Sequence, residues 1–302
     1  MIPSGEQHEI VYEDQRAVVV EVGGGVRTYE VGGVAVLDGY EESEQVTGAR
    51  GQPLLPWPNR LHTGRYTWDG EEHEVPLDEP DQANALHGLT RWRSWSADER
   101  SASAVTMRLR LRPQPAYPFD LDLSVRYVLG ADGLSVSTTA VNRGDSDAPW
   151  GAGAHPYLTV GTDLVDDVLL QVQARTWLPT GPAQIPLGPE PVAGSPYDFR
   201  EARRLGPLHV DHALTDLERD DQGRAWVVLI SPRGRTTSLW VDERHPYVEL
   251  FTGDTLPEPD RRRRSLGVEP MTCPPDAFRT GDDLVRLAPG ASTRSSWGVV
   301  AG

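Results

Sequence analysis

Strict two-residue alternation is the feature that most limits what this chain can become. In AVTMRLRLR, Val105, Met107, Leu109 and Leu111 fall on one side of an extended chain, with Thr106, Arg108 and Arg110 on the other. That pattern marks a strand with one buried face. LDLSVRYV repeats it with Leu121, Leu123, Val125 and Tyr127, and GADG then turns the chain into LSVSTTAV, so these segments read as consecutive antiparallel strands. Further strands are expected at HEIVY, RAVVVEV, VRTYEV, DVLLQVQA, AWVVLIS, TTSLWV, YVELFT and SSWGVV, mostly divided by turn-forming clusters such as EVGGG and SPRGR. Helical periodicity is nearly absent. The 30 Gly and 26 Pro are spread along the chain, with no linker and no repeat of fixed period. The expected fold is therefore all-β: a large antiparallel β-sandwich forming one domain over residues 1–302.

Charge and residue usage remove whole classes of function. A formal net charge of -16 repels a phosphate backbone, so no nucleic-acid partner is expected. The one basic run, Arg261 to Arg264, lacks interleaved aromatics and follows GDTLPEPD, which reads as a solvated surface turn. There is no lysine, which excludes Schiff-base, pyridoxal-phosphate and P-loop chemistry. Cys273 is the single cysteine, so no intrachain disulfide or cysteine-built zinc site can form, and a buried, inert thiol is expected. The start MIPSGEQHEIVYEDQ is polar and acidic, and no apolar run is long enough to span a bilayer. The expectation is a cytoplasmic protein with no membrane partner.

Three long Pro-rich connections, 48–64, 179–196 and 253–276, interrupt the strand rhythm, and loops of such length commonly carry function. In the first, Asn59 and Arg60 follow a Pro-stiffened approach; Arg60 can present its planar fork to ligand oxygens or bond loop carbonyls. NALHGL sets His87 before Gly88, where the backbone can turn tightly and let a ligand approach. In GAGAHPYL, Pro156 restricts His155 to an extended conformation and fixes the direction of its ring. A second HPY lies in charged surroundings, and its His245 is expected at an exposed strand start. Glu269, in GVEPMTCPPDAF, is held in the same way by Pro270 at a strand end; it suits a general base if it does not simply face water. Asp211 in HVDHAL can accept hydrogen bonds from hydroxyl groups or cap a loop.

Taken in order, PWPNRLHTGRYTWDG, NALHGL, AHPYL, VDHAL, ELFTGD and GVEPMTCPPDAF, followed by LAPG and SSWGVV, resemble the aldose 1-epimerase (galactose mutarotase) family over roughly residues 16–299. The resemblance implies a β-sandwich with a sugar cleft across one sheet, acting on a small-molecule partner, a free aldose hexose, whose α and β anomers it interconverts. It assigns Glu269 as general base, His155 as general acid and His87 as the second cleft histidine. Arg60 and Asp211 match substrate-binding positions, and Asn59 beside Arg60 is counted with them. Glu269 would take the proton of the anomeric hydroxyl while a protonated His155 gives one to the ring oxygen; the opened aldehyde rotates and recloses as the other anomer. This chemistry requires neither cofactor nor metal, and it expects His155 to be cationic at rest, helped by a nearby carboxylate.

The chain departs from the family's commoner pattern with GAGA before His155, Pro156 after it, and NALHGL in place of His-Gly-Gly. It thus resembles a divergent bacterial branch, which leaves galactose, glucose or a modified hexose open as substrate. Three other readings stand beside it. They are a non-catalytic sugar-binding or regulatory protein on the same fold, a metal enzyme using His87, His155 and Glu269 although no H-x-H pair occurs, and a glycoside hydrolase pairing Glu269 with Asp211.

Overall fold

Alternation translates directly into layers. A computed structural model describes residues 2–302. In the strand Leu121–Gly130 every odd residue is buried and every even one is partly or fully exposed. This strand pairs antiparallel with Ala104–Leu111 on one side and Gly133–Asn142 on the other, aligning Met107, Val125 and Thr138. The sheet they begin has nine strands, and the C-terminal strand Ser292–Ala301 lies at its centre, between Gly133–Asn142 and Thr236–Val241. The end of the chain therefore joins two halves of a sheet laid down far apart in sequence.

A second antiparallel sheet has twelve strands. Its middle is built from Tyr157–Leu158, Leu266–Met271, Tyr247–Phe251 and Asp211–Leu217, in that spatial order. Leu214, Val248, Leu250 and Val268 point from it into one hydrophobic core shared with Leu123, Val125, Val227 and Leu239 of the first sheet. Leu250 and Val268 are wholly buried, a burial that stabilises by about 1.5–3 kcal/mol per side chain. The alternate residues on the same strands, Gly267, Glu269, Glu249 and Asp211, therefore lie on the other face, away from the core. Among the described residues the α-helical content is one turn, Ala277–Thr280, and no helix is long and apolar enough to cross a membrane.

Each strand expected from alternation is formed, and the chain is nearly all β. Two expectations need correction and a third is refined. The segment 253–276 is not wholly a connection, because it contains the central strand Leu266–Met271. Pro270 hides that strand from a reading by pattern, yet is tolerated where it sits. Val268 and Thr272 donate backbone bonds to Pro156 and Ala152, so the donor missing at Pro270 faces the break between Gly153–Ala154 and Tyr157–Leu158. His245 is not exposed but 2 % accessible, with Nδ1 2.8 Å from Asp242 Oδ1 where the chain doubles back. The arginine run is a surface turn with Arg262 and Arg264 exposed, as expected, but it is partly fastened: Arg261 bonds Gly39 O and Glu44, Arg262 bonds Leu256 O, and Arg263 bonds Asp166 and Asp254.

Candidate active site

Two prolines and one register bring the key side chains together. The pairs Gly153–Met271 and Tyr157–Gly267 bracket the neighbouring strands, which sets His155 opposite Glu269 although Pro156 and Pro270 interrupt the ladder between them. On the next strand Glu249 is directly opposite Glu269. Glu249, Glu269 and His155 thus form a row across three strands on the face away from the core. His155 Nε2 lies 3.2 Å from Glu269 Oε1. The two touch side by side; they do not face each other across a hollow. The row is almost closed to solvent, with His155 4 % and both glutamates 2 % accessible.

Neighbouring residues fix the imidazole. Its backbone is held at both ends, the amide donating to Gln52 O and the carbonyl accepting from Gly51 N. The ring stacks on Tyr157, centroids 4.7 Å apart and planes 7° from parallel, with Phe251 at one edge. Gly267 leaves the space for it: a Cβ there would lie 3.2 Å from both His155 Cε1 and Phe251 Cβ.

His87 and Arg60 come from the loops above. The short strands Arg60–His62 and Asn84–Leu86 pair, and just beyond them Asn59 and His87 both adopt positive φ. They lock each other, the His87 amide donating to Asn59 O at 2.9 Å and the Asn59 amide to His87 Nδ1 at 3.1 Å. The Asn59 side chain accepts from the Arg60 amide, so Asn59, expected at the sugar, shapes the loop that carries its neighbours. Gly88 is required here, since at φ +72° a Cβ would strike Leu55 O at 2.1 Å. His87 reaches the row edge-on, 5.4 Å from His155 between ring centres. Arg60 forks onto Glu79 at 2.9 and 3.1 Å and lies 3.7 Å from Asp211. It bonds carboxylates, not the loop carbonyls. Asp276, which follows the Leu266–Met271 strand, accepts from the His62 amide and donates its own amide to Arg60 O, tying this loop to the sheet.

Sequence reasoning missed Glu249. The signal was present in YVELFT, where Tyr247, Val248, Leu250 and Phe251 leave one acid in a strand apolar on both faces.

Burial governs the charges. Desolvation, reinforced by Asp211 and opposed by Arg60, pushes the Glu269 carboxyl up to about 8. Glu249 is held well above the carboxylate range by burial and by the charges of Asp211 and Glu269, and Asp211 is raised by burial against the pull of Arg60. Burial, then the positive charges of Arg50 and Arg91, brings His155 down to about 3. His87 falls well below its usual value through burial and Arg91. The expected resting imidazolium is thereby corrected: the desolvation cost of a buried charge outweighs the adjacent carboxyl. At neutral pH the Glu269–His155 pair holds one proton, on the carboxyl, donated toward His155 Nε2. His155 Nδ1, Glu249 Oε2 and Glu269 Oε2 have no protein partner.

Ligand atoms of His87, His155 and Glu269 lie within 4.8 Å of one another, a spacing a metal ion could bridge. The donor set does not fit one. His87 Nδ1 accepts the Asn59 amide, which makes Nε2 the protonated nitrogen of the neutral ring. Cys273 is buried with its thiol pushed up to about 12 by desolvation, as expected for an inert group.

The family profile for aldose 1-epimerase matches residues 9–299. The chain belongs to the aldose 1-epimerase family. It is 32 % identical over 292 residues to the uncharacterized protein YihR of Escherichia coli K12, spanning 96 % of this chain and 92 % of that one. Galactose mutarotase of Rattus norvegicus is 26 % identical, across 74 % of this chain and 67 % of the rat protein. Among solved structures, a GalM/aldose epimerase homologue from C. elegans superposes with a TM-score of 0.87 at 18 % identity, covering 98 % of each chain. Galactose 1-epimerase from Lactobacillus acidophilus gives 0.80 at 20 % identity, covering 99 % of this chain and all of the other. At those identities the structural likeness concerns the fold.

Proposed function

We propose that this protein is a cofactor-independent aldose 1-epimerase interconverting the α and β anomers of a free hexose, with Glu269 and His155 as the proton-transfer pair. The observation that carries this reading is their contact: a buried carboxyl and imidazole side by side, with His155 Nε2 3.2 Å from Glu269 Oε1. Ring opening needs one base and one acid, at the anomeric hydroxyl and the ring oxygen. Both oxygens are bonded to the same carbon, so the two catalysts must be adjacent, on one side of the sugar. A sugar seated on the row replaces the direct Glu269–His155 contact with its own oxygens.

Moving the shared proton to His155 produces the working form, with Glu269 ionised to accept the anomeric proton and His155 charged to protonate the ring oxygen. The free aldehyde then turns about its first carbon–carbon bond, and reversed transfers close the other anomer. No proton need be exchanged with solvent during the cycle. His87, with Nδ1 fixed by Asn59, offers Nε2–H to a sugar oxygen, while Asp211 and Arg60 suit ring hydroxyls.

Magnetisation exchange between anomers, measured by NMR over a panel of aldoses, tests the reaction and its substrate together. Exchange faster than the spontaneous rate for at least one aldose is expected. Binding without acceleration would indicate a sugar-binding protein, and cleavage of a nitrophenyl glycoside would indicate a hydrolase.

A further inference from the structure

His155 belongs to a stack that continues past the proton-transfer pair. Its ring lies against Tyr157, and the guanidinium of Arg50 lies over the same Tyr157 ring, 4.0 Å from its centre. Tyr157 is itself anchored, its hydroxyl donating to Gly48 O at 2.9 Å. Arg50 is 2 % accessible and has one counter-ion, Asp38, whose Oδ2 is 2.8 Å from Nη1. Its Nε and Nη2 are buried without a protein partner. A guanidinium kept only to brace the fold would be expected to use its whole fork, because buried donors left unmade are costly. Here part of the charge is uncompensated, within two ring spacings of the imidazole.

The other groups around His155 do not duplicate this. Glu269 touches Nε2, His87 and Phe251 meet its edges, and the remaining cations are Arg91, paired with Asp78, and Arg60, paired with Glu79. Arg50 is first among the charges that disfavour protonation of His155, ahead of Arg91 and Arg60.

We propose that Arg50 is a positioning residue for mutarotation: acting through Tyr157, it fixes the plane of the His155 ring and adds to burial in disfavouring a charge on the imidazole until a sugar is bound. The proposal rests on the function assigned above, but its test reads His155 without requiring turnover. At this spacing a buried positive charge shifts a neighbour's titration by on the order of one pH unit. In Arg50→Met the charged fraction of His155, read from its ring carbon and nitrogen shifts near pH 4, should rise about fivefold. Arg50→Lys, which keeps the charge, should return it toward wild type, and the acid limb of kcat/KM should follow the same order. A folded Arg50→Met protein with an unchanged charged fraction overturns the proposal. Asp38→Asn decides the matter should Arg50→Met fail to fold. Stripped of its counter-ion, Arg50 repels more strongly and the charged fraction should fall, whereas no change or a rise refutes the role. A shift of the expected sign in a protein that accelerates no anomer exchange would uphold the electrostatic device and reject the function.

Discussion

Glu269→Gln should abolish turnover and stabilise the protein, because both properties depend on one buried proton. Glutamine keeps the size of the side chain and can donate to His155 Nε2 as the protonated carboxyl does, so packing and the 3.2 Å contact survive. The folded carboxyl sits at about 8 against a usual 4.5, so the wild type takes up a proton when it folds at neutral pH. The raised value means that its contribution is whole below pH 4.5 and is lost as pH rises toward 8. Over the interval from 4.5 to 7, at about 1.4 kcal/mol per pH unit, the wild type forfeits about 3 kcal/mol. The glutamine variant forfeits none. Urea unfolding at both pH values should therefore give near-equal stabilities at 4.5 and a variant about 3 kcal/mol more stable at 7. Catalysed anomer exchange should fall by about 10²–10⁴ with the loss of the general base. A stability difference that does not change with pH would mean Glu269 is ionised at rest, and wild-type exchange in the variant would remove it from the mechanism.

Further expectations follow from the same geometry. Because the pair works with one proton, kcat/KM corrected for spontaneous exchange should fall about tenfold per unit above the Glu269 value near 8; a profile rising through 8 would place the resting proton elsewhere. Gly267→Ala puts a methyl 3.2 Å from His155 and Phe251, and should reduce kcat roughly tenfold through displacement of the imidazole while the melting temperature changes little. Arg60→Ala strips Glu79 and Asp211 of their shared cation; a loss of about 3–5 kcal/mol on chemical denaturation is expected, and a loss under 1 kcal/mol would show that the pairing is solvated. Leu250→Ala opens the centre of the core and should cost about 2–5 kcal/mol without altering exchange per folded molecule.

The sheet-forming segments were legible because a strand with one wet face records its burial in every second residue, as Leu121 to Leu129 do. Leu266–Met271 was legible only as a strand ending near Glu269 inside a Pro-rich connection, because it is buried along its whole length and carries a proline that normally argues against a central strand. His245 was misplaced for a related reason. Charged neighbours in sequence suggested exposure, but a turn returned Asp242 to its ring. Glu269 and His155 could be singled out since each precedes a proline, and the ordered motifs pointed to a shared site. Glu249 is marked locally only as a lone acid in an apolar strand, and Tyr157 and Arg50 carry no comparable mark; the relation of all three to that site exists only across strands.

Sequence alone determined the all-β class and the residue types available for chemistry, because alternation and composition are local properties of the chain. Only the tertiary structure decided which of those residues meet and in what charge state. Register across strands sets the neighbours of a side chain, and burial, which no single segment controls, sets where its proton resides.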